Sequence, residues 1–142
     1  MKSKKPSESM TTMSEIVLPN DTNTLGNLMG GKLMHWMDIA AAMACMRHCN
    51  CPVVTASADN ISFEKPIKLG NVLTVEAKVT RAFNTSMEVY LKVNGEDLTK
   101  KLKYLTNEAY MTFVSLDAHG KPRGVLELVS ETVKKKMKFD GA

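Results

Sequence analysis

Hydrophobic and polar residues alternate one by one through the second half of the chain. From Val72 to Phe83, Leu73, Val75, Ala77 and Val79 fall on one face and Thr74, Glu76, Lys78 and Thr80 on the other. A period of two marks a half-buried strand, because successive side chains leave a strand on opposite faces. Asn84-Thr85 can turn the chain, and the pattern resumes with Met87, Val89, Leu91 and Val93 against Glu88, Tyr90, Lys92 and Asn94 until Gly95. Leu102 to Asp117 supplies a third long strand, with Ala109, Met111 and Phe113 opposite Tyr110, Thr112 and Val114, and Ala118 to Pro122 turns the chain again. Val53 to Phe63 is also rich in strand formers, followed by turns at Lys65-Pro66 and Gly70-Asn71.

One stretch breaks this rhythm. After Gly30-Gly31, apolar residues fill almost every position: Leu33, Met34, Trp36, Met37, Ile39, Ala40 to Ala44, Cys45 and Met46. A helix apolar on all sides is a buried helix. Pro52 limits its end, and Arg47 and His48 suit the negative end of its dipole. At about 18 residues it would be roughly 27 Å long. A single helix so thoroughly apolar needs more cover than one open sheet gives. The pattern therefore predicts an α+β domain, a curved antiparallel sheet wrapped around one long central helix, with a second subunit covering the remainder.

The ends carry weaker signals. Ile16 to Leu18 reads as one short strand ended by Pro19. Residues 1–13, rich in Lys and Ser, read as a disordered tail, residues 14–128 as the domain, and residues 129–142 as a basic tail or short closing helix. No repeat divides the chain.

Composition changes this picture little. The 142 residues suit one domain, with 44% hydrophobic and 24% charged residues. The net charge of +4 comes largely from lysines near the two ends. That argues against nucleic acid as a partner, since no basic stripe with interleaved aromatics runs through the interior of the sequence. It leaves a polyanionic small molecule as a suitable ligand. The longest apolar stretch is too short to span a membrane and is interrupted by His35 and Asp38. The three cysteines, Cys45, Cys49 and Cys51, are read as reduced thiols of a cytoplasmic protein rather than as a disulfide framework or a metal site.

Chemistry enters with Asp38. It is the only carboxylate between Asp21 and Asp59 and sits mid-helix among apolar neighbours. A carboxylate there is costly unless it is paired, hydrogen-bonded or at work, so it is either a structural group or a functional one. Upstream, Asn20, Asp21, Asn23 and Asn27 crowd a loop where such residues usually form turns. Gly30 and Gly31 open the helix, where free backbone N–H groups can meet an oxyanion or a phosphate. Asn84, Thr85, Ser86 and Met87 form a hairpin that is either an ordinary turn or a set of donors for a phosphorylated ligand. His35 and His119 are weak candidates. No nucleophile elbow, P-loop or dinucleotide fingerprint is present.

Several short stretches together resemble the acyl-CoA thioesterase family of hotdog-fold proteins, including the bacterial YciA-type enzymes and the brain-type acyl-CoA hydrolase. They are Leu18-Pro19-Asn20-Asp21-Thr22-Asn23 with Gly26 and Asn27, Gly30-Gly31, Met37-Asp38, Arg47-His48-Cys49 and Val53-Val54-Thr55-Ala56-Ser57. Phe63, Pro66-Ile67, Gly70, Thr85-Ser86-Met87 and Thr112-Phe113-Val114 continue the series to about residue 124. The resemblance implies the hotdog fold and hydrolysis of acyl-CoA, with no cofactor beyond the CoA of the substrate. It implies an active site at a dimer interface, with Asn23 from one protomer and Asp38 from the other, and assembly as a trimer of dimers. Asp38 would be the general base, or a nucleophile. The Gly31 amide would polarise the thioester carbonyl, and Gly30, Arg81, Asn84, Thr85, Ser86 and Met87 would bind CoA. Asn71, where many members have Asp, and Met29, where His or Phe is common, depart from the pattern. Two other readings remain at this point: a hotdog dehydratase using His35, and a non-catalytic acyl-CoA-binding regulator.

Overall fold

A computed structural model describes residues 3–59 and 64–125 of the chain. It has five strands and one long helix: β1 (Thr11–Ile16), α1 (Gly30–Cys49), β2 (Val53–Ala58), β3 (Val72–Ala82), β4 (Ser86–Asp97) and β5 (Leu102–Ser115). The strands form one antiparallel sheet in the order β1-β3-β4-β5-β2. The sheet curls around α1, which is the hotdog fold. Irregular register at Val79/Arg81, Val93/Asn94 and Thr55/Ser57 adds local bend and twist.

The period of two in the sequence becomes the inner face. Leu73, Val75, Ala77, Val79, Met87, Val89, Leu91, Val93, Ala109, Met111 and Phe113 are all buried against the helix. Burying a large aliphatic or aromatic side chain contributes about 1.5–3 kcal/mol, so this face supplies much of the domain's cohesion. From α1 come Leu33, Trp36, Met37, Ala40, Ala41, Ala44 and Cys45. The small alanines let the helix backbone seat close to the sheet.

The helix is not covered on every side within one chain. Met34 and Met46 are 45% and 41% exposed, and His35 is exposed. Asp38, Ile39, Ala42 and Met43 are half-buried. Met34, Asp38, Ala42 and Met46 are spaced by four, so they share one open stripe. β2 is an edge strand beside it, exposed from Val54 through Ala58.

Two expectations change. The N-terminal residues are not all tail: Pro6–Ser9 form a short 3₁₀ turn and β1 begins at Thr11, not Ile16. Most of β1 is exposed, so the segment has little apolar pattern to betray it. It is held instead by backbone pairing to β3 and by the buried Ser9, whose hydroxyl accepts the Val79 N–H at 2.8 Å and donates to the Pro6 carbonyl at 2.8 Å. Second, the structure pairs Cys49 with Cys51 in a disulfide and leaves Cys45 free and buried. Asn50 between the paired cysteines adopts the left-handed conformation, φ 53°, which folds the chain back at the helix end and brings their Cα atoms to 5.3 Å. The β-rich run from Val53 forms β2 through Ala58. Residues 60–63 and the expected segment 129–142 lie outside the described residues.

Candidate active site

Asp38 owes its place to the helix and its orientation to β2. The Thr55 hydroxyl donates to Asp38 Oδ1 at 2.6 Å, a short charge-assisted bond. One carboxylate oxygen is thus engaged and the side chain is held on the open stripe of α1. Thr55 was not among the expected site residues. Its signal lay in the Val53-Val54-Thr55-Ala56-Ser57 stretch, but nothing in a sequence shows that a residue seventeen positions on returns to the same point.

Gly31 is the second residue of the helix, about 10 Å along the axis from Asp38 at 1.5 Å per residue. Met29 caps the helix without a side-chain bond, and a β-carbon built at Gly31 meets nothing within 4 Å. Among the described residues no backbone hydrogen bond engages the N–H groups of Gly30 and Gly31, which lie at the positive end of the helix dipole. An anionic or polarised oxygen can approach there.

Asn23 sits in the loop before the helix, which is tightly wired. Its Oδ1 accepts the N–H groups of Leu25 at 2.9 Å and Asn27 at 3.2 Å. Its own N–H bonds the Asn27 carbonyl at 2.9 Å, and its carbonyl accepts from Gly26 at 3.0 Å. Asn23 is exposed, and its oxygen is committed to the loop, so its amide N–H₂ is the end with donors to offer. Within one chain no hydrogen bond joins Asn23 to Asp38 among the described residues. Asp21 is structural: buried, it accepts the Leu18 N–H at 3.0 Å and pairs with Lys32 at 3.5 Å.

The hairpin between β3 and β4 places Asn84, Thr85 and Ser86 at its tip. The Asn84 carbonyl accepts from Val125 at 3.0 Å, and the Thr85 carbonyl from the Ser115 N–H at 3.0 Å, which fixes the tip to the end of β5 and to the chain after it. Thr55 pairs with Phe113 and Phe113 with Met87, so the hairpin lies two strands from Thr55, about 10 Å. One of the expected CoA contacts changes. The Met87 side chain is fully buried in the core, which removes it from the binding surface. Arg81 faces Glu88 at 3.9 Å, so its charge is partly met within the sheet.

Among the described residues, neither His35 nor His119 hydrogen-bonds Asp38, Thr55 or Asn23. His35 is exposed on the helix, and His119 lies in an exposed turn organised by Asp117. Burial pushes the Cys45 thiol up to about 12, so it packs as an apolar group instead of serving as a nucleophile. No cluster of metal-binding side chains occurs among the described residues, and no helix among them is long and apolar enough to cross a membrane.

Known proteins share this chain's pattern. The thioesterase superfamily model matches residues 25–101. The uncharacterized acyl-CoA thioester hydrolase YkhA of Bacillus subtilis is 41% identical over 125 residues, covering 88% of this chain and 73% of that protein. Acyl-coenzyme A thioesterase 11 of Mus musculus is 46% identical over 103 residues, 72% of this chain. The cytosolic acyl coenzyme A thioester hydrolase of Mus musculus is 35% identical over 136 residues, 94% of this chain. The chain spans only 17% and 36% of these two mouse proteins.

Among solved structures, a hexameric acyl-CoA thioesterase matches with a TM-score of 0.93 at 37% identity, over 99% of this chain and 90% of that one. The Staphylococcus aureus acyl-CoA hydrolase, in complex with butyryl coenzyme A, coenzyme A and coenzyme A disulfide, matches with a TM-score of 0.89 at 38% identity, over 98% of this chain and 85% of that one. Variants of that hydrolase replace by alanine an asparagine, an aspartate fifteen residues further on, and a threonine seventeen beyond the aspartate. With fold, motif spacing and relatives in agreement, this chain belongs to the thioesterase superfamily.

Proposed function

We propose that this chain hydrolyses the thioester of acyl-CoA to a free fatty acid and CoA, with Asp38 as general base. The observation that carries the reading is the 2.6 Å hydrogen bond from Thr55 to Asp38, on the helix that Gly30 and Gly31 open. It gains support from spacing: Asn23, Asp38 and Thr55 repeat the asparagine, aspartate and threonine separations of the Staphylococcus aureus variants.

In this mechanism Thr55 holds one oxygen of Asp38, leaving the other to take a proton from water. The water oxygen bonds to the thioester carbon. The carbonyl oxygen becomes an oxyanion, met by the Gly31 N–H, with Gly30 giving the backbone room for the approach. Collapse breaks the C–S bond, and the proton held by Asp38 passes to the departing CoA sulfur. Asn23 of a partner subunit orients the water or the thioester. Asn84, Thr85 and Ser86 contact the CoA portion. The reaction's only coenzyme is the CoA of its substrate.

The site requires a dimer, for which the open stripe of α1 and the free edge of β2 supply the surface. Assembly as a trimer of dimers is supported by the hexameric neighbour. A cytosolic setting is supported by the relative named for it. The cysteines give that setting no support, since two of the three are paired.

Free-thiol release from a panel of acyl-CoAs tests the reading. Asp38→Ala is expected to lose about 10²–10⁴-fold in kcat, the usual scale for removing a positioned acid–base group, and Asn23→Ala about 10²–10³-fold, the scale for a lost positioning donor. Thr55→Ala, which frees Asp38 without removing it, is expected to lose about tenfold. A folded Asp38→Ala protein with full turnover would overturn the mechanism. Tight acyl-CoA binding by the wild type without thiol release would overturn the activity.

A further inference from the structure

We infer that Tyr104 is a positioning residue for catalysis, fixing through Asn71 the loop that carries Asn23; the inference rests on the role proposed above for Asn23. Tyr104 lies near the start of β5, directly opposite Gly95 of β4. A β-carbon built at Gly95 would sit 2.6 Å from the Tyr104 hydroxyl oxygen and closer still to the ring. Glycine at 95 is therefore what lets the ring lie flat over β4. In that pose the Tyr104 hydroxyl accepts a hydrogen bond from Asn71 Nδ2 at 2.8 Å.

Asn71 stands in the turn that leads into β3. Its N–H bonds the Lys68 carbonyl at 3.0 Å, and its carbonyl accepts the Val17 N–H at 2.9 Å. The same turn grips the loop of Asn23. The Leu69 N–H bonds the Gly26 carbonyl at 2.9 Å, and the Leu28 N–H bonds the Ile67 carbonyl at 2.7 Å. Those links are all backbone to backbone and join one loop to another. The Asn71–Tyr104 bond is a side-chain tie from this pair of loops to an interior strand of the sheet. Small displacements of a positioning group are costly in rate, so the tie acts on catalysis while lying outside the site.

Tyr104→Phe keeps the ring over Gly95 and removes only the hydroxyl. Asn71→Ala removes the other partner. Asn71→Asp keeps the link, with the Tyr104 hydroxyl now donating to a carboxylate. In free-thiol assays with acyl-CoA, Tyr104→Phe and Asn71→Ala are each expected to lower kcat about three- to tenfold, the range of one hydrogen bond. KM should stay within about twofold, as for an interaction felt in the transition state. The double variant should be no worse than either single one, and Asn71→Asp should match wild type. In an Asn23→Ala background, Tyr104→Phe should have no further effect, because both act through one group. A Tyr104→Phe protein with wild-type kcat overturns the inference, as does a loss of the same size with and without the Asn23 side chain. Asn23→Ala alone separates the two failures. If it keeps full turnover, the role of Asn23 falls and this inference with it. If it is impaired and the two effects simply multiply, only the positioning role of Tyr104 falls.

Discussion

Cys45 and Asp38 sit on the same helix, and burial sorts them into opposite roles. Cys45 faces the sheet with no exposed surface, and its thiol is pushed up to about 12 by desolvation, against an ordinary 9.0. Its thiolate, the form that reacts, is therefore scarce at neutral pH. Alkylation of the native protein at about pH 8 should leave Cys45 unmodified, while the same reagent in denaturant should modify it; peptide masses report both. Rapid native labelling of Cys45 would mean that the helix does not seat as described. Asp38, two turns earlier, points to the open stripe and meets Thr55. A lone carboxylate in an apolar helix made Asp38 conspicuous in the sequence. Asn23 was not conspicuous in that way, since its loop is full of turn-forming residues, and it was singled out by family resemblance. Thr55 carried no mark beyond its motif, because its importance comes from contact through space.

At the scale of elements, legibility followed pattern length and burial. β3, β4 and β5 each run for 11 to 14 residues with one face in the core, so their alternation is unmistakable. β1 lacked any such signal: it is an edge strand whose six residues are mostly exposed. Its anchor is polar and local. Ser9 answers the Val79 N–H beside the bulge where β3 changes register, and it also donates to the Pro6 carbonyl. Ser9→Ala would leave a buried backbone N–H without its acceptor, a loss of about 1–3 kcal/mol. Denaturant unfolding should show that loss at an unchanged m value. Ser9→Thr, which keeps the hydroxyl, should recover most of it. If Ser9→Ala is as stable as wild type, the N-terminal segment is not integral to the sheet.

For the molecule as a whole, the sequence expected a helix apolar on every side, and one chain leaves a stripe of that helix open. That stripe is what the expected second subunit would cover, since periodicity reports which residues avoid water and not which chain covers them. The stripe of Met34, Asp38, Ala42 and Met46 beside exposed β2 is the surface a second copy would bury under two-fold symmetry, with each patch facing its own counterpart. If the active site is shared as proposed, each site takes Asn23 from one protomer and Asp38 from the other. Asp38→Ala and Asn23→Ala proteins would then each be inactive alone but complementary together. A mixed dimer has one site with both residues intact and one with neither. Random mixing of equal amounts, by co-expression or by unfolding and refolding together, should therefore restore about one quarter of wild-type activity under such a two-fold arrangement. Titrating the ratio of the two chains should give a maximum at equal amounts. If both residues serve the same chain's site, no ratio restores anything, because every site would lack one of the pair. The measurement thus reads the architecture of the site from activity alone, and it holds whether the dimers stand alone or associate further.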